Sequence, residues 1–214
     1  MNIQAFIRNN IFPVLPQFVV NAVRQKHQET QYKNWEKNGK PVPPPHLVKQ
    51  KVIAGYQKET GINVLVETGT FLGDMIEAQK KNFKKIYSIE LSEMLHRKAG
   101  KRFRNAENVS LILGDSGKKL PELLNQINEP AIFWLDGHYS AGDTAKGDTE
   151  CPIYEELDAI LKKSNEKHVI LIDDARCFDG TGDYPTIAAI ESYITSRRPQ
   201  YKIEVKDDVI RFTI

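Results

Sequence analysis

Val64-Leu65-Val66-Glu67-Thr68-Gly69-Thr70-Phe71-Leu72-Gly73-Asp74 decides how this chain folds. An apolar run ends in an acid, a glycine loop follows, and a helix-forming segment begins at once. Strand, glycine loop and helix in that order are how an open α/β sheet makes a nucleotide-sized site. The glycines let the backbone approach a ligand closely and take dihedrals that a side chain forbids. A strand that turns straight into a helix often needs a glycine for the turn alone, so the segment by itself reads equally well as plain structure. What favours a site is the set of acids at later strand ends.

Lys85-Ile-Tyr-Ser-Ile-Glu90 is a second strand ending in a carboxylate, followed by Leu91. Glu90 lies 23 residues after Glu67, near the offset of roughly 20 expected of an acid that binds ribose hydroxyls. Val109-Ser-Leu-Ile-Leu113 runs into Gly114-Asp115-Ser116, and Ala131-Ile-Phe-Trp-Leu-Asp136 into Gly137-His138-Tyr139. His168-Val-Ile-Leu-Ile172 ends in Asp173-Asp174. Ligands of open α/β sheets sit outside the carboxyl ends of the strands, so these runs aim their acids at one crevice. Any one acid could instead cap a helix, Asp115 and Asp174 above all; the whole set is hard to explain as caps. Helical segments at 74–82, 92–104, 118–125, 152–163 and 185–197 separate the strands, with Ser92 suited to a cap and Pro152 and Pro185 to first turns. That alternation calls for a mostly parallel sheet with helices on both faces. Residues 201–205 and 209–214, around Lys206-Asp207-Asp208, form a closing hairpin.

On these residues the chain resembles the class I S-adenosylmethionine-dependent methyltransferases over roughly 60–214. Glu67-Thr-Gly69-Thr-Phe-Leu-Gly73 is similar to their first motif, an acid then Gly-x-x-x-Gly, and differs from the Gly-x-Gly-x-x-Gly of dinucleotide enzymes. The resemblance implies a three-layer Rossmann-like α/β fold, its mostly parallel sheet completed by the C-terminal antiparallel hairpin. It implies S-adenosylmethionine as cofactor. Glu67, Gly69, Thr70, Phe71 and Gly73 would pass its methionine part, Glu90 and Leu91 its ribose, and Asp115 and Ser116 its adenine, with Asp136 bordering the same site.

A narrower resemblance concerns Asp136-Gly137 and Asp173-Asp174, which are similar to the Asp-Gly and Asp-Asp pairs of macrocin-type sugar O-methyltransferases. It implies a magnesium ion on Asp136, Asp173 and Asp174, a cation that favours oxygen ligands, and catalysis by Asp136 and His138. That family carries an aspartate base where this chain has His138. A histidine there could take the proton, ligate a metal or only pack. The implied function is O-methylation, assisted by magnesium, of a hydroxylated small molecule or saccharide. Two other classes stay open. A metal-dependent hydrolase would use Asp136, His138, Asp173 and Asp174 to activate water, but leaves Glu90 and Asp115 without a task. A non-catalytic nucleotide-binding module would keep the crevice and dock a partner through its N-terminal arm.

The chain's 214 residues allow one α/β domain, 60–214, and a helical arm and lid segment, 1–59. A net charge of +2, from 30 basic and 28 acidic side chains, gives no pull toward nucleic acid. Cys151 and Cys177 make no disulfide framework, which suits a reducing compartment and the cytoplasm. No run approaches a transmembrane span. Residues 1–24 are apolar but broken by Pro13 and Pro16, and lack the features of a signal or transit peptide. They suit a helix pair packed on the domain, or an arm that forms a homodimer. Residues 37–45 read as a stiff connector and 46–56 as a lid helix beside the cofactor. The long loop 137–151, with His138, Tyr139, Ser140, Asp143, Thr144 and Lys146, reads as a substrate lid or as an ordinary polar loop. Arg176 could pair with an anionic substrate group or neutralise its own acidic neighbours.

Overall fold

Runs that are apolar at every position, not at alternate ones, belong to strands covered on both faces. The computed structural model, which describes residues 17–137, 151–163 and 167–214, places them so. The strands β1 (Val64–Thr68), β2 (Lys85–Glu90), β3 (Val109–Leu113), β4 (Ala131–Leu135) and β5 (Val169–Ile172) are parallel, and β7 (Val209–Thr213) lies antiparallel to both β5 and β6 (Lys202–Lys206). The seven-stranded order is β3-β2-β1-β4-β5-β7-β6. Asp207 and Asp208, both at positive φ (53° and 61°), make the two-residue turn of the last hairpin, as a type I′ connection demands.

The helices are α1 (Gln17–Lys37), α2 (His46–Thr60), α3 (Asp74–Gln79), α4 (Glu93–Phe103), α5 (Ser116–Leu124), α6 (Ile153–Lys163) and α7 (Ile187–Arg197). Alternate strand residues feed two cores. Val64, Val66, Phe133, Leu135, Ile170, Ile172, Ile210 and Phe212 pack with Leu120, Leu124, Leu157, Ile160, Ile190 and Ile194 of α5, α6 and α7. Leu65, Ile132, Trp134, Leu171 and Val209 pack on the other side with Ile53, Met75, Ile76, Ala99 and Phe103 of α2, α3 and α4. This is the three-layer arrangement expected from the alternation.

Boundaries differ locally for identifiable reasons. α3 stops at Gln79, three residues short, where the Asn108 side-chain amide takes the carbonyls of Lys80 and Phe83. Pro185 does not begin α7; it precedes the capping residue Thr186, whose hydroxyl accepts from the Ala189 N–H at 3.1 Å. Pro152 likewise precedes α6. The chain divides into two compact units, 1–49 and 50–214, with the boundary inside α2. In the smaller unit α1 is a single helix, and the Trp35 indole N–H donates to the Pro41 carbonyl at 2.7 Å. Most of the expected dimer arm, and nearly all of the expected substrate lid with His138, lie outside the described residues. Among the described residues no helix is long and apolar enough to cross a membrane.

Candidate functional site

The strand order reverses between β1 and β4, β1 leading out to β2 and β3 and β4 to β5. Such a switch point opens a crevice at the carboxyl ends of the strands. The ladder runs one residue past each of them: Gly69 N–H donates to the Ile89 carbonyl (2.9 Å), Asp136 N–H to Thr68 O and Oγ1 (3.2 and 3.1 Å), and Asp173 N–H to Leu135 O (3.0 Å). Gly69 lies at φ +85°, and a Cβ there would stand 2.4 Å from the Asp136 carbonyl oxygen. Only glycine lets the β1 loop cross so close to the end of β4.

Glu90 holds that loop from the β2 side. Its Oε2 accepts the Phe71 N–H and its Oε1 the Ser92 N–H, both at 2.8 Å. Phe71 itself sits at φ 47°, an uncommon conformation for a non-glycine residue. Each Glu90 oxygen retains a further lone pair, so the carboxylate can still accept from a pair of hydroxyls. Beside it, Leu91 is half-buried, while Leu113, directly opposite Glu90 on β3, and Met94 are 41% and 48% exposed. Neither Leu113 nor Met94 is marked by the sequence pattern beyond the apolar run of β3, which continues to Leu113 at the strand's end.

Glu67 is buried beneath the loop. Its Oε2 accepts from Ser88 Oγ at 2.5 Å, and Ser88 Oγ lies 2.6 Å from Thr70 Oγ1, tying β1, β2 and the loop together. Burial pushes the Glu67 carboxyl up to about 8, the Ser88 hydrogen bond opposing and the charge of Glu90 adding to it. Ser88 is a polar residue between Tyr87 and Ile89, and it faces Glu67 across the β1–β2 register.

Asp115 starts α5 by its backbone, but its carboxylate makes no capping bond. Ser116 is buried next to it. A Cβ on Gly137 would lie 3.1 Å from both Ser116 Oγ and Glu156 Oε1, so the exit of β4 is wedged between α5 and α6. Glu156 is 2% exposed. It too escaped the sequence reading, although an acid on the face that carries Ile153, Leu157 and Ile160 is an anomaly.

The third group differs from expectation. Asp173 is buried and its Oδ1 accepts the Asp174 N–H at 2.7 Å. Asp174 is left-handed (φ 53°), and its Oδ1 takes Arg176 Nη1 at 2.8 Å. The same Nη1 also donates to the Asp208 carboxylate, and Asp208 accepts the Arg176 N–H at 2.9 Å. Arg176 therefore neutralises its own acidic neighbours. Among the described residues no three His, Cys, Asp or Glu side chains are placed to hold an ion, so the arrangement lends no support to magnesium on Asp136, Asp173 and Asp174. Short-range hydrogen bonds and Arg176 orient two of the three carboxylates instead.

No protein-family model and no curated protein matches the sequence. Solved structures do match. The O-methyltransferase TomG of Streptomyces achromogenes, involved in tomaymycin synthesis and solved with S-adenosylmethionine, is 15% identical over 87% of this chain and 88% of its own, with a TM-score of 0.60. An O-methyltransferase of Bacillus cereus, solved with S-adenosylhomocysteine, is 15% identical over 99% of this chain and 96% of its own, with a TM-score of 0.59. At such identities the likeness is one of fold: the chain has the three-layer, Rossmann-like architecture of these methyltransferases, with the antiparallel hairpin at the sheet's end.

Proposed function

We propose that this chain is an S-adenosylmethionine-dependent O-methyltransferase acting on a hydroxylated small molecule or saccharide. The observation that carries the reading is the β1 glycine loop, crossing the end of β4 at the switch point with Glu90 at its rim. The residues present suit the cofactor. Glu90 is an acceptor for two ribose hydroxyls, Leu91, Met94 and Leu113 offer apolar cover to a flat base, and Asp115 and Ser116 stand at that base's edge. The backbone of 69–73 passes the methionine part. The cofactor, when bound, supplies a methyl group on a positively charged sulfur.

The protein's task is then to hold the acceptor oxygen in line behind that methyl and to remove its proton. Asp136, at the end of β4, and His138, two residues on, are assigned to that role. An imidazole titrates near neutral pH and can take the proton as the O–C bond forms. No metal step is assigned, because Asp174 is tied to Arg176. The O-methyltransferases of like fold support oxygen as the acceptor atom, and the polar composition of 138–150 favours a saccharide over a flat aromatic.

Titration calorimetry with S-adenosylmethionine tests the cofactor half. Each charge-assisted hydrogen bond lost in Glu90→Ala is worth about 1.5–3 kcal/mol, so affinity should fall by at least about tenfold. Because Glu90 also holds the Phe71 and Ser92 amides, adenosine is compared with 2′,3′-dideoxyadenosine in both proteins. Wild type should prefer adenosine, and Glu90→Ala should lose the preference. A wild type indifferent to the hydroxyls refutes the ribose assignment, and cofactor binding without turnover on a broad panel of hydroxylated acceptors points instead to a non-catalytic module.

A further inference from the structure

Arg102, near the C-terminus of α4, reaches back to the loop between β1 and α3. Its Nη1 donates to the Leu72 carbonyl at 2.5 Å and to Asp74 Oδ1 at 2.7 Å, and Nη2 lies 4.0 Å from Glu77 Oε2. The side chain is only 13% exposed, so its charge is held largely out of water and its pairing is costly to break. Phe103, the next residue, closes on the same loop. A Cβ on Gly73 would stand 2.4 Å from the Phe103 ring.

These contacts supply what the loop's own helix lacks. α3 has six residues and starts on Gly73, a left-handed residue with no side chain to cap it. The entry to the loop is fixed by β2, through Gly69 N–H on Ile89 and Phe71 N–H on Glu90. The exit is fixed by α4, through Arg102 and Phe103.

We infer that Arg102 is a positioning residue for the cofactor site: by holding Leu72 and Asp74 it keeps the 69–73 loop in the shape that receives the methionine part of S-adenosylmethionine. This rests on the methyltransferase reading above. The contacts of Arg102 fall on Leu72, Asp74 and Glu77 and not on the groups assigned to ribose and adenine, so its loss acts on one half of the ligand. A misplaced loop weakens what it carries, while the nucleoside half keeps Glu90 and its apolar cover.

The test compares three probes by calorimetry on the full chain: S-adenosylmethionine, S-adenosylhomocysteine and 5′-methylthioadenosine, which lacks the amino-acid part. In Arg102→Met the first two should weaken by about tenfold or more, while methylthioadenosine binds as to wild type. Arg97→Ala, which removes an exposed pair with Glu93 on the same helix, should change none of them. Should Arg102→Met fail to fold, Arg102→Lys keeps the charge between Asp74 and Glu77 and shows the same ordering in smaller measure. Equal loss of all three ligands in a folded variant means a merely structural role, and no loss of any means no role; either overturns the inference while leaving the methyltransferase reading intact. A wild type that binds none of the three brings down that reading and the inference with it.

Discussion

Gly69→Ala is the sharpest single perturbation of the site, and two other glycines calibrate it. A side chain at φ +85° costs about 1–2 kcal/mol from the left-handed conformation alone. The added Cβ would also overlap the Asp136 carbonyl oxygen at 2.4 Å. Asp136 as a residue cannot withdraw cheaply, since its N–H is bound to both Thr68 O and Thr68 Oγ1. Separating the loop from β4 strains those bonds, each worth about 0.5–1.5 kcal/mol net, so the whole penalty is about 2–5 kcal/mol. Denaturant unfolding should show it as a lower midpoint at unchanged slope, and cofactor affinity should fall with it because the loop has moved. Gly100 in α4 meets nothing within 4 Å of an added Cβ, and there alanine should stabilise by about 0.5–1 kcal/mol. Gly55 in α2 is equally open. If Gly69→Ala unfolds and binds like wild type while Gly100→Ala behaves as expected, the close approach of loop and strand is not what shapes the site.

Two pH profiles follow from buried groups. His168 is 3% exposed, its Nδ1 accepts the Ala131 N–H at 3.0 Å, and burial pushes it down from 6.5 to about 4. The unfolded chain therefore takes the proton first, and stability should be lost as pH falls from 6.5 to about 4, by up to about 3 kcal/mol. His168→Asn, whose amide oxygen can replace Nδ1, should flatten that limb of the urea-midpoint curve; an unchanged slope assigns it to another group. Glu67 behaves oppositely: the unfolded carboxyl ionises above 4.5 and the folded one only near 8, so stability should decline as pH rises between them. Glu67→Gln, which keeps the hydrogen bond to Ser88 and never ionises, should gain on wild type by a few kcal/mol toward pH 8, and a Gln variant that tracks wild type through the same range refutes the buried-acid account.

The order of elements was legible because it is a local property. Apolar runs, a glycine loop and strand-end acids lie along the chain in the order in which the sheet uses them, so Gly69, Glu90 and Asp136 could be placed at one edge before any contact was known. Whether a carboxylate at that edge faces a ligand or its own backbone is set by partners far away in sequence. Asp174 and Arg176 illustrate this. Arg176 is fixed by Asp208, 32 residues on, which reaches it only because β7 pairs with β5 and carries the hairpin turn alongside. Of the acids at these two neighbouring strand ends, Asp174 is turned toward Arg176 by a register that the acids do not encode, whereas Asp173 bonds its own neighbour, the Asp174 N–H. The link between Glu67 and Ser88 was hidden in the same way, since it exists only in the β1–β2 register.

Arg102 is the extreme case, because nothing near it in sequence marks it. It lies in a helix rich in basic residues, where the bland reading is a solvated face, and its partner Leu72 is 30 residues earlier. What singles it out is that the β1 loop ends on a glycine and enters a helix too short to fix it. A loop built for close approach has few side-chain anchors, since the glycines at positions 69 and 73 hold only through their backbone groups. The anchoring must then come from outside, from Glu90 on one side and Arg102 on the other. A glycine-rich site read from sequence therefore carries a corollary that composition cannot resolve: somewhere on a neighbouring element there are charged residues whose task is to hold it still.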